Sequence, residues 1–123
     1  MSFLDSLFNL NDKVVLVTGA CGQLGKVICK AFRDSGCQVL GVDIDINANL
    51  SLLNGVQYYE LDARNLLDKQ KLYENIIKQY KVIDILINNA GVNTFDKFEQ
   101  RTEADFDWVF DVNLKGVFFD IQT

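Results

Sequence analysis

Apolar and polar residues follow two alternating patterns along this chain. Short apolar runs rich in valine and isoleucine predict four β-strands, at Lys13–Thr18, Gln38–Asp43, Val56–Leu61 and Ile83–Ile87. The first run, KVVLVT, has no polar face, which is typical of a strand buried on both sides in a parallel sheet. Between the runs, apolar residues recur three or four positions apart, which is the period of an α-helix. The alternation indicates β-α-β units.

Three helices are predicted from this second pattern. The first ends at Ser35-Gly36, and its apolar positions are Leu24, Val27, Ile28, Ala31 and Phe32. The second begins at the N-cap residue Asn65, with Asp68 in its first turn, and its apolar stripe is Leu72, Ile76, Ile77 and Tyr80. The third begins at Thr102, and its expected inward face is Phe106, Val109, Phe110, Asn113 and Val117. A short helix is expected around Ala48–Leu53, and Thr94–Arg101 is expected to be a loop.

These elements predict one α/β domain over residues 1–123. Because crossovers between parallel strands are right-handed, the four strands form one compact arrangement, a sheet in the order 3-2-1-4 with helices on both faces. This is a three-layer, Rossmann-type parallel sheet that stops before the second half of such a fold.

Composition and charge exclude several functional classes. The net charge of −5 and the scattered Lys and Arg residues argue against nucleic-acid binding. The longest apolar stretches are too short to span a bilayer, and the N-terminus lacks the features of a signal peptide, so we expect a cytoplasmic protein. Cys21, Cys29 and Cys37 are expected to be reduced thiols. Without histidine and without a C-x-x-C pair, the sequence predicts no metal site and no Ser-His-Asp triad.

The turn after the first strand, TGACGQLG, carries the clearest chemical signal. Gly19 permits a tight turn, Gly22 lets the main chain approach a pyrophosphate, and Gly25 lets the following helix pack against the strand. The N–H groups and the dipole at the start of that helix favour an anion. Because the turn lies between a buried strand and an amphipathic helix, it predicts a dinucleotide site.

Asp43 ends the second strand and predicts which dinucleotide binds. A carboxylate at this position accepts hydrogen bonds from the adenosine-ribose hydroxyls and repels a 2′-phosphate. No Lys or Arg lies in the glycine turn or just after Asp43 to pair with such a phosphate. NAD is therefore favoured over NADP, with Asp45 as a substitute if the strand register shifts.

The sequence resembles the short-chain dehydrogenase/reductase family from about Lys13 to its last residue. The glycine turn and Asp43 contribute to the resemblance, together with Leu61-Asp62-Ala63. Its most specific elements are the tetrapeptide at 88–91, NNAG, and the segment at 112–116, VNLKG. The resemblance implies an NAD(H)-dependent oxidoreductase that acts on an alcohol, carbonyl or sugar substrate, with a homo-oligomer as the expected full-length form.

The resemblance also implies roles for individual residues. Cofactor-binding positions would be Gly19, Gly22, Gln23, Leu24, Gly25, Asp43, Asp62, Ala63, Asn89, Ala90 and Gly91. Among them, Asp62 and Ala63 would edge the adenine, and residues 89–91 would border the central crevice. Asn113 would be the helix-borne asparagine that holds a water of the proton relay. Its place on the expected inward face independently requires hydrogen-bond partners for its amide.

Two features depart from the family pattern. The glycine spacing, G-x-x-G-x-x-G, is commoner in the extended branch of epimerases and dehydratases, which remains an alternative. Lys81 stands where a helix-ending glycine is common, so this helix end must be capped in another way.

The family's proton-transfer signature, Tyr-x-x-x-Lys with a serine, is missing from this sequence. Four residues after Tyr58, Tyr59, Tyr73 and Tyr80 stand Asp62, Ala63, Ile77 and Asp84. We therefore expect an N-terminal fragment that is inactive alone, arising from a partial gene, a frameshift or a truncation, with the signature encoded beyond residue 123. The fourth strand would then form an apolar sheet edge. A non-catalytic dinucleotide-binding module, or a relic of one, is the other alternative.

Overall fold

A computed structural model describes residues 2–47 and 52–123 of the chain. It contains four strands and several helical segments. The strands are β1 (Val14–Thr18), β2 (Gln38–Asp43), β3 (Val56–Glu60) and β4 (Ile85–Ile87). The α-helices are α1 (Phe3–Phe8), α2 (Gln23–Asp34), α3 (Leu66–Tyr80), α4 (Glu103–Phe110) and α5 (Val117–Gln122). A 3₁₀ turn covers Phe98–Gln100, and a π-helical segment, Asp111–Gly116, joins α4 to α5.

The four strands form one parallel sheet in the order β3-β2-β1-β4, as the sequence predicted. β1 is central and every residue of it is buried, which confirms the interpretation of its uniformly apolar sequence. Its register aligns Leu16 with Leu40 of β2 and with Leu86 of β4. The strands begin and end within two residues of their predicted bounds. The carboxyl ends of all four therefore lie along one edge, which is where ligands bind in such folds.

Hydrophobic clusters cover both faces of the sheet, so that the fold has three layers. On one face, Leu16 and Leu40 pack with Tyr73 and Ile76 of α3. On the other, Val15 and Val39 pack with Cys29 of α2 and its neighbours. Alternate residues of each strand thus serve opposite layers, because side chains along a strand point to alternate faces.

Both predicted helix caps are present. The side chain of Asn65 accepts a hydrogen bond from the backbone N–H of Asp68, and Thr102 forms a reciprocal capping box with Asp105. At the other end of α3, Lys81 makes the C-cap in the left-handed conformation (φ 71°) that glycine usually supplies, and its N–H donates to the carbonyl of Ile77. Lys81 therefore forms the usual left-handed cap, rather than the different cap that was expected, in a conformation that is strained for a residue with a side chain.

One helix was not predicted, a second differs from its prediction in the buried face, and the prediction of a third is not tested. The sequence analysis missed α1, although Ser2 and Asp5 form a capping box there. In α2, Gly25 and Cys29 are buried, whereas Leu24 and Val27 are exposed. The helix expected around Ala48–Leu53 falls mostly outside the described residues.

The interior face of α3 also differs from the prediction. Ile76 is buried as expected, but Ile77 is exposed, and Lys69 and Tyr73 are buried in addition. A lysine is rarely buried unless a partner satisfies its charge. Here the partner comes from α5, which no local pattern in α3 could indicate.

The predicted inward face of the last helix was wrong. Phe106, Phe110 and Asn113 are exposed, and only Val109 and Val117 are partly buried. The buried positions are instead Val112, Gly116 and Asp120, with Trp108 partly buried. The segment from 106 to 121 has apolar residues on every side, so hydrophobicity did not select a face. The buried face is the one whose small and acidic residues fit against α3 and the end of β3.

No helix among the described residues is long and apolar enough to cross a membrane.

Candidate functional site

A cleft of about 420 Å³ opens at the carboxyl ends of the strands. All eleven residues that the sequence analysis assigned to a cofactor line this cleft: Gly19, Gly22, Gln23, Leu24, Gly25, Asp43, Asp62, Ala63, Asn89, Ala90 and Gly91. They come from the segments that follow each of the four strands, so the sheet brings together groups that are far apart in the sequence. Their binding roles remain predictions.

The glycine turn is shaped by two close backbone contacts. Gly19 has φ 62°, and a Cβ there would lie 2.9 Å from the Cα of Ala90. A Cβ on Gly25 would lie 2.0 Å from the carbonyl oxygen of Gly19, which leaves no room for any side chain. At Gly22 the nearest atom to such a Cβ is 3.5 Å away. Packing within the chain therefore requires Gly19 and Gly25, whereas the open space at Gly22 belongs to the cleft.

The amino end of α2 lies at this cleft without a side-chain cap. Its N-cap is Gly22, no side chain among the described residues caps it, and its first turn contains no acidic residue. By contrast, α3 and α4 carry Asp68 and Asp105 in their first turns beneath side-chain caps. A helix start with free N–H groups and no acidic neighbour in its first turn is suited to hold an anion.

Asp43 turns its carboxylate into the glycine turn. Its Oδ2 accepts a hydrogen bond of 2.9 Å from the backbone N–H of Cys21, and its Oδ1 lies 3.5 Å from the backbone nitrogen of Asp45. Burial, and then the negative charge of Asp43, raise the pKa of the Cys21 thiol. Asp43 rather than Asp45 lines the cleft, which favours the first of the two predicted ribose acceptors.

Thr18 joins the glycine turn to the NNAG turn, a role that the sequence analysis missed. Its hydroxyl accepts hydrogen bonds from the backbone N–H groups of Asn89 (3.1 Å) and Ala90 (3.0 Å). The side-chain amide of Asn89 donates to the carbonyl of Gly19 at 3.1 Å. These bonds fix the two turns to each other at the centre of the cleft. A hydroxyl residue directly between a buried strand and Gly19 was the available signal.

Asp62 and Arg64 form an ion pair at the β3 end of the cleft. The guanidinium of Arg64 contacts both carboxylate oxygens of Asp62, with Nη2 to Oδ2 at 2.7 Å and Nε to Oδ1 at 3.0 Å. Hydrogen bonding from Arg64 lowers the pKa of the Asp62 carboxyl. Asp62 is therefore a charged acceptor whose orientation is fixed by its neighbour.

Asn113 does not line the cleft, but its side chain is hydrogen-bonded to the backbone of Val92, which follows the NNAG turn. Its Oδ1 accepts from the N–H of Val92 at 2.7 Å, and its Nδ2 donates to the carbonyl of Val92 at 2.8 Å. The amide thus has hydrogen-bond partners, as predicted, and both belong to the backbone of Val92, although the residue is exposed rather than buried. The pair ties the segment after Gly91 to the π-helical turn, a type of irregularity often found at functional sites.

A buried polar cluster that the sequence did not predict contributes to the cleft lining. The ammonium of Lys69 contacts Asp120 and the carbonyl of Gly116, both at 2.8 Å, and the hydroxyl of Tyr73 donates to Asp120 at 2.6 Å. Burial, and then the charge of Asp120, raise the pKa of Tyr73. Lys69, Tyr73 and Asp120 reach the cleft lining beside Trp108 and Val112. Only the fold brings α3 and α5 together here.

Comparison with known proteins gives a consistent result. A profile described as short chain dehydrogenase matches residues 13–123. Among curated proteins, the NAD-dependent glycerol dehydrogenase of Listeria innocua is 35% identical over 122 residues, covering 96% of this chain and 48% of that protein. Galactitol 2-dehydrogenase of Agrobacterium fabrum is 32% identical, covering 89% of this chain and 44% of that protein. The chain thus spans about half the length of the curated relatives it matches.

Solved structures show the same relationship. A short chain dehydrogenase from Leptospira borgpetersenii with bound NAD⁺ superposes with a TM-score of 0.86 at 30% identity, covering 99% of this chain and 47% of that one. A 3-ketoacyl-(acyl-carrier-protein) reductase from Brucella melitensis complexed with NADH superposes with a TM-score of 0.80 at 27% identity, covering 92% of this chain and 48% of that one.

Proposed function

Because the chain belongs to the short chain dehydrogenase family, we propose that it forms the NAD(H)-binding part of an oxidoreductase acting on an alcohol, carbonyl or sugar substrate. The observation that carries the proposal is the carboxylate of Asp43, which points into the glycine turn at the start of α2. A pyrophosphate site and a ribose acceptor are thereby adjacent in one cleft.

The residues of the cleft fit a dinucleotide. The open space at Gly22 and the uncapped start of α2 suit a pyrophosphate, since backbone N–H groups can donate to it. The second carboxylate oxygen of Asp43 remains able to accept from ribose hydroxyls. When bound, the nicotinamide ring supplies or accepts the hydride of the reaction. The chain's own residues bind and orient the cofactor.

The remaining cofactor-binding assignments follow from position in the cleft. Asp62 offers a charged acceptor to the adenine amino group, beside Ala63. Gln23 and Leu24 start α2 at the pyrophosphate, and Asn89 to Gly91 border the nicotinamide side of the central crevice. Asn113 holds Val92 and so orients the segment that enters the reaction site; we propose that it also positions the relay water implied by the family.

NAD is the cofactor that the charges favour. The carboxylate of Asp43 would lie close to a 2′-phosphate and repel it. Asp45 follows two residues later and adds to the negative charge near Cys21. We therefore expect NADH to bind more tightly than NADPH.

Residues 1–123 alone are expected to bind the cofactor without turning over a substrate. None of the four tyrosines has a lysine four positions later, so this chain offers no tyrosinate activated in the manner of the family. For the whole protein, we propose a small alcohol, carbonyl or sugar as the substrate and a homo-oligomer as the assembly.

The proposal is tested by calorimetric titration of the chain with NADH. Asp43→Asn keeps the side-chain volume and removes the charge, and we expect roughly tenfold or greater weakening because a hydrogen bond to a charged group contributes about 1.5–3 kcal/mol. Asp45→Asn is the matched control and should bind NADH nearly as well as the wild type. Circular dichroism verifies that each variant keeps its fold.

Three outcomes would count against the proposal. Absence of NADH binding to a folded wild-type chain would favour a relic of a dinucleotide-binding domain. Equal weakening by Asp43→Asn and Asp45→Asn would remove the ribose assignment. Tighter binding of NADPH than NADH would reverse the cofactor preference.

A further inference from the structure

Trp108 is a cleft residue to which the sequence analysis gave no role. It is partly buried on α4 and lines the same cleft as the eleven predicted cofactor residues. Its aromatic neighbours behave differently: Phe106 and Phe110 stack on each other at 4.2 Å and are exposed. The single tryptophan of the chain is thus the aromatic residue of α4 that turns towards the cleft.

The π-helical segment that continues α4 beyond Trp108 packs against the turn that follows β3. A Cβ on Gly116 would lie 3.4 Å from the carbonyl oxygen of Ala63 and 3.5 Å from its Cβ. The pKa of Arg64 is raised mainly by Asp62 and to a smaller extent by Asp111 on this helix. Trp108 lies three residues before Asp111, a spacing that places side chains on neighbouring parts of a helix surface. Trp108 therefore lies in the helical wall of the cleft, which packs against the end of β3 through Gly116.

This wall is fixed from inside the protein. The ammonium of Lys69 holds the carbonyl of Gly116 at 2.8 Å and also contacts Asp120, which Tyr73 binds at 2.6 Å. Val112, one turn after Trp108, is buried and lines the cleft as well. The helical segments that follow Trp108 are therefore anchored to α3.

The end of β3 is where the base of a dinucleotide would lie. With the pyrophosphate at the start of α2 and the ribose at Asp43, the adjoining position is at residues 61–63. The backbone N–H of Leu61 donates to the carbonyl of Asp43 at 2.8 Å, so these two strand ends are adjacent. The same cleft is lined by Asp62 and Ala63 at this strand end and by Trp108 of α4.

We propose that Trp108 is an adenine-binding residue, whose indole forms the aromatic wall of the base subsite opposite Asp62 and Ala63. The inference rests on the proposed function, because it assumes the dinucleotide orientation set by Asp43. An indole offers a broad apolar face to a purine, and stacking of this kind does not require a particular hydrogen-bonding edge. Asp62 then supplies the polar recognition that stacking lacks.

The test uses the fluorescence of Trp108 and calorimetry on the 123-residue chain. AMP, which contains the base and ribose but not the nicotinamide, should change the tryptophan emission with the same Kd as calorimetry gives. Nicotinamide mononucleotide should leave the emission unchanged. We expect Trp108→Ala to weaken AMP and NADH binding by about tenfold, since one base–aromatic stack accounts for a loss of this order.

Two variants separate stacking from a general effect on the helix. Trp108→Phe keeps an aromatic face and should retain AMP affinity within about threefold of the wild type. Phe110→Leu shortens an aromatic residue on the same helix that does not line this cleft, and AMP affinity should not change. Circular dichroism checks that each variant is folded.

The outcomes distinguish this inference from the proposed function. If NADH binds and depends on Asp43, but Trp108→Ala binds AMP as well as the wild type, the role of Trp108 is wrong and the cofactor site stands. The role of Trp108 is also wrong if calorimetry records AMP binding while the tryptophan emission does not change. If NADH does not bind at all, both fail together.

Discussion

The buried ion pair between Lys69 and Asp120 provides a demanding test of the fold. The side chains are 1% and 5% exposed, and their charged atoms are 2.8 Å apart. Lys69→Met would leave the Asp120 carboxylate buried with only the hydroxyl of Tyr73 described as its side-chain partner. Removing one member of a buried pair usually costs about 3–5 kcal/mol, because the other charge loses both water and its partner.

Replacing the whole cluster should have a much smaller effect. In the triple variant Lys69→Met, Asp120→Leu and Tyr73→Phe, no charge or hydroxyl of the cluster is left without a partner, and the carbonyl of Gly116 loses only its bond from Lys69. Well-packed apolar groups in place of a buried ion pair are often neutral or stabilising. We therefore expect the free energy of unfolding of the triple variant to lie within about 2 kcal/mol of the wild type, because only one carbonyl loses a donor, whereas each single change at Lys69 or Asp120 costs about 3–5 kcal/mol.

Urea denaturation followed by circular dichroism measures these free energies. Because a loss of about 3–5 kcal/mol is a large part of the stability of a typical domain, the urea transitions of Lys69→Met and the wild type are both recorded at low temperature. A cost below about 1 kcal/mol for Lys69→Met would show that the pair is solvated like a surface ion pair. A triple variant as unstable as the single ones would show that the ion pair itself, rather than its unpaired remnant, determines stability.

Three further predictions follow from particular backbone and side-chain environments. Lys81→Gly should stabilise the chain by about 0.5–1 kcal/mol in urea denaturation, because Lys81 is left-handed at φ 71°; Lys78→Gly, within α3, should instead destabilise it by up to about 1 kcal/mol. Gly25→Ala should destabilise the fold by roughly 1–3 kcal/mol and abolish NADH binding in calorimetry, since its Cβ would lie 2.0 Å from a backbone oxygen. Burial raises the pKa of the Cys29 thiol from 9.0 to about 11, so the thiol ionises at lower pH in the unfolded chain than in the folded one. The free energy of unfolding should therefore fall as the pH rises between these two values, and it should fall less steeply in Cys29→Ala.

Each of these predictions has a contrary result. If Lys81→Gly and Lys78→Gly change the free energy of unfolding equally, the left-handed cap carries no strain. Unchanged NADH affinity in Gly25→Ala would mean that the turn can move away from α2. An identical pH slope in Cys29→Ala and the wild type would mean that the Cys29 thiol does not contribute to the loss of stability.

Local sequence patterns were sufficient for most of the framework. The valine-rich run before Thr18 is apolar at every position, and this alone identified a central strand. Asn65 and Thr102 marked two helix starts because capping involves residues only three positions apart. Strand order then followed from the handedness of crossovers. Each of these inferences depends on short-range geometry or on a general rule of chain connection.

In the candidate site, too, some features could be predicted from the sequence and others depend on the assembled fold. The glycine spacing and Asp43 could be recognised because one short loop and one strand end carry them. The hydroxyl of Thr18 meets Asn89, which lies 71 residues later, and the amide of Asn113 meets Val92, 21 residues earlier. Such pairs can be identified only when the strands and helices have been assembled.

By itself, the sequence determined the strands and the glycine turn with its neighbouring carboxylate, because these depend on residues close together in the chain. The order of the strands followed from the right-handedness of crossovers. Only the tertiary structure decided which side of the last helix is buried. That helix carries apolar residues on all of its sides, so hydrophobic periodicity does not indicate a preferred face. The choice depends on the partners of Asp120 and Gly116, namely Lys69 and Ala63, and these partners are brought into contact by the packing of α3 and the end of β3.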